Sequence, residues 1–184
     1  MVKLIIVTTG LPGSGKGTFA KVAEQLKIPV IVMGDIVRSE VVRRGLDLTP
    51  ENIRRVALQL REEEGSIAVA KRVAEKIRGL ESCAVVIDGV RSLDEVEVFR
   101  KLGKVVIISI EAPFEVRLGR VLKRGRVDDV SEEELRKRDE LEISLGIDKV
   151  MRNAEIVIEN VSTLQDFVDK SKRLLSELLR TYCY

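Results

Sequence analysis

The sequence predicts an α/β protein with a five-stranded parallel sheet, and two observations support that prediction. Short apolar runs alternate with segments of helical periodicity, and each run is rich in Val and Ile without a polar face, as expected of strands buried on both sides. Strands joined through helices require right-handed crossovers, which give a parallel sheet with helices on both faces. The predicted strands cover residues 4–7, 30–33, 84–87, 105–110 and 156–158.

Helical patterns fill the intervals between these strands. The longest interval, 35–78, is predicted as a helical insert with breaks near Gly45 and Gly65. Within it, Thr49 is typical of an N-cap and Pro50 of a first helical turn, so a helix begins there. The other predicted helices cover about residues 16–26, 92–102, 113–123, 131–145 and 163–179.

Length and composition limit the class of protein. The 184 residues suit one domain, 1–184, and a formal net charge of +2 argues against a nucleic-acid partner. Histidine is absent, which excludes histidine triads and histidine metal sites. No run approaches the ~20 apolar residues of a membrane span, and residues 1–4 lack a signal-peptide pattern. We expect a cytoplasmic monomer or small homo-oligomer that acts on a small molecule, away from membranes.

The two cysteines lie far apart in the sequence. Cys83 opens an apolar run and Cys183 is the next-to-last residue. Cysteines with this placement, in a chain expected in the cytoplasm, do not indicate a disulfide framework. We therefore predict a buried strand residue at Cys83 and an incidental tail thiol at Cys183.

A glycine-rich loop follows the first predicted strand and precedes a helix, from Gly10 to Thr18. Glycines let the backbone curl so that successive N–H groups point inward, and the helix N-terminus adds its dipole; both favour phosphate. Lys16 then reaches the β- and γ-phosphates, while Gly17 stands where a hydroxyl residue usually follows the lysine, so that the hydroxyl comes from Thr18. The loop thus predicts a site for ATP and Mg²⁺. Its binding residues are Gly10, Pro12, Gly13, Ser14, Gly15, Lys16, Gly17 and Thr18.

Acidic residues follow two of the predicted strands. Asp88 ends the third strand, which lies beside the phosphate loop in this type of fold, and its carboxylate is suited to hold Mg²⁺ through water, with Thr18 as the second metal-binding residue. Asp35 follows the second strand. Its carboxylate either holds Mg²⁺ in the same way or caps a helix N-terminus, a position that Asp fills well.

The Gly-Lys-Gly-Thr end of the loop is the form found in adenylate kinase and related nucleoside monophosphate kinases, and the sequence resembles that family up to about residue 138. Residues 34–38 (Gly-Asp-Ile-Val-Arg) are similar to its Gly-Asp-x-x-Arg segment, whose arginine holds the acceptor phosphate. Residues 88–91 (Asp-Gly-Val-Arg) are similar to its Asp-Gly-Phe-Pro-Arg segment, with one residue fewer. The resemblance implies acceptor binding by Asp35, Arg38 and Arg91.

The resemblance also implies a short lid over about residues 120–138. Arg120 and Arg124 match the two phosphate-contacting arginines of the family, and their spacing places them on one helical face. Residues 126–129 (Arg-Val-Asp-Asp), followed by Arg138, are similar to the segment that closes the lid, so Arg126 and Arg138 join the predicted acceptor-binding residues. Together these features predict a three-layer P-loop NTPase fold with a helical acceptor-binding insert at about 35–78.

Three departures from adenylate kinase concern the acceptor. Met33 and Glu95 stand where that family carries a threonine and a base-reading glutamine, and the lid is much shorter. Because groups that would read a base are replaced, a different acceptor is expected. The segment 153–160 is also similar to the close of dephospho-CoA kinase, and the whole chain looks most like an archaeal P-loop kinase family of unassigned substrate.

These observations predict a phosphotransferase that moves the γ-phosphoryl group of ATP-Mg to a nucleoside monophosphate or another nucleotide-like acceptor. Arginines suit this reaction because they stay charged and match phosphate oxygens. The alternatives are a dephospho-CoA kinase-type reaction and an ATPase or assembly factor that acts on a macromolecular partner. The residues predicted to be catalytic are Lys16, Arg120, Arg124 and Asp88.

Overall fold

The computed structural model describes residues 2–125 and 131–184, and these contain five strands and nine helices. The strands are β1 (Leu4–Thr9), β2 (Val30–Val32), β3 (Ala84–Asp88), β4 (Lys104–Glu111) and β5 (Ile156–Glu159). The helices are α1 (Lys16–Gln25), α2 (Met33–Arg43), α3 (Pro50–Glu64), α4 (Ala68–Arg78), α5 (Leu93–Arg100), α6 (Phe114–Arg124), α7 (Glu132–Ser144), α8 (Ile147–Arg152) and α9 (Leu164–Tyr182).

All the strand pairs are parallel, and the order across the sheet is β2-β3-β1-β4-β5. Side chains of β1 alternate between two hydrophobic cores. Ile5 and Val7 pack with α2 to α5 and α8 on one face, whereas Leu4 and Ile6 pack with α1 and α9 on the other. The predicted three-layer architecture with a five-stranded parallel sheet is therefore confirmed.

The helical insert follows the sequence pattern closely. α2 ends before Gly45, α3 ends before Gly65, and the backbone N–H of Asn52 donates to Thr49 Oγ1 at 3.1 Å, as expected of an N-cap. Met33 was assigned to the wrong element, because it begins α2 instead of ending β2. Its side chain is buried in the core beneath α2. The helix α8 was not predicted at all, since its six residues are too few to show a period.

A cluster of charges ties α2 to α3. Glu40 is buried, and its carboxylate accepts hydrogen bonds from Arg43 at 2.6 and 2.7 Å and from Arg44 at 2.8 Å. Arg44 also donates to Glu63 of α3 at 2.8 Å. The Arg43 hydrogen bonds, with those of Arg44, lower the pKa of Glu40 from its usual 4.5 to about 2 although burial acts in the opposite direction.

The cysteine prediction was wrong, because Cys83 and Cys183 form a disulfide with Cα atoms 5.9 Å apart. Cys83 directly precedes β3 and Cys183 directly follows α9. α9 begins beyond the carboxyl end of β5 and runs back to the amino end of the sheet, which brings together two residues that are 100 positions apart. That proximity depends on tertiary structure and leaves no local signal in the sequence.

Within the described residues, none of the helices combines the length and the apolar character that crossing a bilayer requires.

Candidate active site

The phosphate loop connects β1 to α1 and is held too tightly for side chains at two of its glycines. Gly10 has φ +146°, and a Cβ atom there would lie 2.3 Å from the carbonyl oxygen of Ile110. Gly15 has φ +118°, and a Cβ atom there would lie 2.4 Å from Asn160 Nδ2. Positive φ values favour glycine, and the close neighbours leave no space for another residue. The backbone is thereby held in a curl against the ends of β4 and β5.

The environment of Ser14 indicates whether the loop can bind a phosphate group. Its side chain is fully buried, and its Oγ has no hydrogen-bond partner among the described residues. Buried hydroxyl groups normally have a partner, and a phosphate oxygen at this loop would provide one. Thr18 lies in the first turn of α1 and Gly17 is exposed, so the predicted loop residues surround the N-terminus of that helix. The residues of this loop therefore fit a phosphate group of a nucleotide.

Lys16 begins α1 and curls back over the loop. Its Nζ donates to the carbonyl oxygens of Gly10 at 2.7 Å and Leu11 at 3.3 Å. Burial lowers the pKa of Lys16, while the carboxylates of Asp88 and Glu142 oppose that shift. The ammonium group is thus held beside the loop by acceptors that phosphate oxygens can replace.

Several of the predicted residues converge near this ammonium group. Asp88 and the guanidinium groups of Arg91 and Arg138 all interact electrostatically with Lys16. They lie at the end of β3, in the loop after β3 and on α7. The structure therefore brings together residues that are more than 100 positions apart in the sequence.

Asp88 is positioned by the pairing of β3 with β1. It lies opposite Thr8, whose Oγ1 donates to Asp88 Oδ1 at 2.9 Å. The loop begins just after Thr9, so the carboxylate lies at the carboxyl edge of the sheet next to the phosphate loop. Asp88 is almost completely buried, which holds a carboxylate at the place where the sequence predicted water-mediated Mg²⁺ binding.

Arg120 reaches the phosphate loop from α6. Its Nη2 donates to the carbonyl oxygen of Asn160 at 2.6 Å, and its Nη1 lies 3.4 Å from the carbonyl oxygen of Ser14. Burial lowers the pKa of Arg120. Arg124 is exposed at the end of the same helix, one turn later. Arg126 and the Asp128-Asp129 pair lie outside the described residues.

Asp35 and Arg38 pair with each other. Arg38 Nη1 donates to Asp35 Oδ1 at 2.7 Å, and both side chains are largely exposed. The alternative that Asp35 caps a helix is wrong, since α2 begins at Met33 and Val32 occupies the N-cap. Asp35 instead contributes a negative charge to the first turn of α2, which the helix dipole favours.

Sequence reasoning missed Arg117, which is 3% exposed. It donates to the carbonyl oxygens of Pro12 and Ala112, both at 3.1 Å, and forms two hydrogen bonds of 2.9 and 2.7 Å to Asp139. Arg117 thus joins the phosphate loop to α7, the helix that carries Arg138. The one available signal was its position four residues before buried Val121, on the inner face of α6.

Asn160 is a second residue that sequence reasoning did not single out. Its side chain is buried and Nδ2 donates to the carbonyl oxygen of Ser14 at 2.8 Å, while its backbone N–H donates to the carbonyl oxygen of Glu111 at 2.8 Å. It therefore connects the ends of β4 and β5 to the phosphate loop. Nothing local distinguishes it from other asparagines at strand ends.

A cavity of about 400 Å³ borders the phosphate loop on the side of β4 and β5. Its walls include Leu11 and Ser14 of the loop, Glu111 and Glu159 at the ends of the two strands, and Met151 of α8. Ligand pockets usually fall in the range of about 300–1,000 Å³, so part of a small ligand fits here.

The comparisons with known proteins agree with this architecture. A family model described as an AAA domain matches residues 9–136. A UPF0200 protein of Hyperthermus butylicus is 48% identical over 177 residues, which cover 96% of this chain and 95% of that relative. The chain belongs to the AAA domain family and to the UPF0200 proteins.

Two solved structures share the fold. The crystal structure of TT1252 from Thermus thermophilus has a TM-score of 0.68 and 23% identity, and the match covers 97% of this chain and 99% of that chain. Shikimate kinase from Acinetobacter baumannii, in complex with shikimate, has a TM-score of 0.55 and 18% identity, covering 100% of this chain and 97% of that chain. The sheet and its flanking helices therefore form a P-loop kinase-like fold.

Proposed function

We propose that this chain is an ATP-dependent phosphotransferase that moves the γ-phosphoryl group of ATP-Mg to a small phosphorylated acceptor, a nucleoside monophosphate or a nucleotide-like compound. The observation that carries the proposal is a cluster at the phosphate loop, where Lys16 Nζ donates to the carbonyl oxygen of Gly10 at 2.7 Å, the Asp88 carboxylate is buried, and the buried Ser14 hydroxyl has no hydrogen-bond partner among the described residues. Phosphoryl transfer requires little covalent chemistry from the protein and depends on positioning and charge. Such a cluster supplies both.

The loop amides and Lys16 would hold the phosphates of ATP. Lys16 exchanges the carbonyl oxygens of Gly10 and Leu11 for the β- and γ-phosphate oxygens, at the cost of two hydrogen bonds. Thr18 and Asp88 would hold Mg²⁺, which neutralises phosphate charge when it is bound, and Asp88 would do so through water. These residues orient the transferred group without forming a bond to it.

The arginines of α6 and α7 would stabilise the charge that spreads over the transferring group. Arg120 already lies over the loop carbonyls, and Arg124 follows one helical turn later on the same face. Preorganised guanidinium groups stabilise such charge at little reorganisation cost. Arg138, Arg120 and Arg124 thus approach from the side of the short lid.

The acceptor would bind on the side of α2 to α4. Asp35 and Arg38 lie on α2, and Arg91 follows β3 and acts electrostatically on Lys16. Arginine forks match phosphate oxygens, which is why we infer an acceptor that already carries a phosphate group. Arg126, which the sequence also predicts for this role, lies outside the described residues.

The first test is a coupled assay of ADP formation from ATP-Mg with AMP, CMP, UMP, dTMP, dephospho-CoA or no acceptor. We expect one phosphorylated compound to stimulate ADP formation strongly. Slow ADP release that none of the acceptors stimulates would contradict the proposal and favour an ATPase that acts on a macromolecular partner. Stimulation of ADP formation by dephospho-CoA alone would support the alternative, a dephospho-CoA kinase-type reaction.

A matched pair of variants shows that the measured activity belongs to this site. Lys16→Met removes the loop lysine and should abolish ADP formation, whereas Lys21→Met removes an exposed lysine from the same helix and should leave it unchanged. Equal activity of the two variants would place the reaction outside the phosphate loop.

A further inference from the structure

Arg61 is a partly buried arginine that the proposed reaction does not use. It lies on α3 with a side chain that is 16% exposed, and its Nη1 donates to the carbonyl oxygen of Ala57 in the same helix at 2.8 Å. Its Nη2 lies 3.8 Å from Glu95 Oε1, which is an ion-pair distance but too long for a hydrogen bond. Burial lowers the pKa of Arg61, and Glu95 offsets only part of that effect. Its charge is therefore incompletely compensated.

Arg61 belongs to a charge cluster that extends to the phosphate loop. Glu95 is shared, because its other oxygen, Oε2, accepts from the backbone N–H of Arg91 at 2.9 Å. Arg91 in turn donates from Nε to Glu142 of α7 at 2.7 Å, and it also interacts with Asp88. Arg61 thus lies on the insert side of the residues that surround Lys16.

The carboxylates of this cluster already contact its arginines. Glu95 is 1% exposed, and its two oxygens face the Arg91 backbone and the Arg61 guanidinium. Each guanidinium group has five N–H donors, and the contact of Arg91 with Glu142 uses only one of them. A guanidinium group cannot lose its proton in a protein, so a buried one is stabilised best by an anion that accepts two hydrogen bonds.

We propose that Arg61 binds a second anionic group of the acceptor next to the group held by Arg91, so that the acceptor is a small molecule with two anionic groups. This inference rests on the proposed function and narrows its substrate class. The second group is a phosphate or a carboxylate, since both match the guanidinium fork. Arg61 is then a specificity-determining residue for the acceptor and takes no part in the transfer itself.

The test compares a probe with one anionic group, inorganic phosphate, and a probe with two, phosphonoacetate. Both are titrated by calorimetry into protein whose phosphate loop is first saturated with a non-hydrolysable ATP analogue and Mg²⁺. We expect phosphonoacetate to bind about 10- to 100-fold more tightly than phosphate, because each hydrogen bond between charged groups contributes strongly. The Arg61→Gln variant should lose that preference while its affinity for phosphate stays the same.

The matched control is Arg55→Gln, which removes an arginine from the exposed side of the same helix and should keep the preference. Arg61→Lys keeps the charge without the fork, and it should fold and show an intermediate preference. Equal affinity of the wild type for the two probes would overturn the proposal. An unchanged preference in both Arg61 variants would do so as well.

These titrations measure binding and need no turnover, so their outcome is independent of the acceptor panel. The titrations can show a preference for phosphonoacetate that depends on Arg61 while none of the acceptors stimulates ADP formation. That result would refute the kinase proposal and support the anion site. Acceptor-stimulated ADP formation without that preference would keep the kinase and refute the role of Arg61.

Discussion

The Arg117→Met substitution removes the hydrogen bonds that join the phosphate loop to α7, while most of the side-chain volume at this position is kept. The substitution removes the donors to Pro12 and Ala112 and leaves Asp139, which is 13% exposed, without its cation. Removing one partner of a buried ion pair costs about 3–5 kcal/mol, because the other charge stays buried. At roughly 2–4 °C per kcal/mol for a chain of this size, the melting temperature should fall by about 6–20 °C.

The assay is thermal unfolding by circular dichroism in a double-mutant cycle. Asp139→Leu alone should also destabilise the protein, since it leaves the buried Arg117 guanidinium with only the carbonyl oxygens of Pro12 and Ala112 as partners. The double variant removes both charges, and its loss should be at least ~2 kcal/mol smaller than the sum of the two single losses. As a control, Arg100→Met breaks an exposed pair with Glu97 and should cost less than about 1 kcal/mol.

The same variant should also impair turnover, because Arg117 sets the position of Pro12 in the loop and of the helix that carries Arg138. A displacement of about 1 Å in such a site lowers the rate on the order of 10-fold or more. Additive single losses, within ~0.5 kcal/mol, together with unchanged ADP formation would refute the reasoning that Arg117 couples α6, α7 and the loop.

The remaining predictions concern the lid, the acceptor, the disulfide and acid stability. Arg124→Ala should lower kcat on the order of 10²-fold while the KM for ATP changes little, and a variant with parental turnover would rule out the catalytic role. Arg38→Ala should raise the KM of the acceptor found in the panel more than that of ATP, and equal changes would remove its assignment. Cys183→Ser removes the disulfide that closes a loop of 100 residues. The free energy of unfolding should fall by up to about 4.7 kcal/mol, and the melting temperature by roughly 10–20 °C. A reductant should lower the melting temperature of the parent and not that of the variant. Glu40 has a folded-state pKa of about 2, below its usual 4.5, so its ion pairs stabilise the protein fully above pH 4.5 and this contribution is lost as the pH falls towards 2. The stability difference between the parent and Glu40→Gln should therefore shrink across that window in denaturant titrations, and a constant difference would contradict the assignment.

Much of the site could be predicted because its parts are local. The loop from Gly10 to Thr18 carries its own signal, since glycine spacing, a lysine and a helix N-terminus are all contiguous in sequence. Asp88 was predictable from its place after a buried strand, because parallel strands align their carboxyl ends at one edge. The breaks in the insert were predictable in the same way, from Gly45, Gly65 and the Thr49 cap.

The misses have a common physical origin in long-range contacts. Arg117 is one of several arginines on α6, and its sequence context does not show that Asp139 on another helix will meet it. Arg61 and Glu95 are likewise brought together only when α3 packs beside α5. Asp35 was misread as a possible cap because the exact start of α2 depends on how Met33 packs into the core.

Hydrophobic periodicity and turn chemistry act over a few residues, so the parallel α/β sheet, the phosphate loop and the acidic residues at strand ends could be predicted from local sequence. Which charges meet depends on how distant segments pack together. The pairing of Arg117 with Asp139, of Arg91 with Glu142 and the disulfide that closes α9 onto β3 all join segments between 22 and 100 positions apart. Such contacts follow from the packing of whole helices against the sheet, and a short stretch of sequence does not encode them.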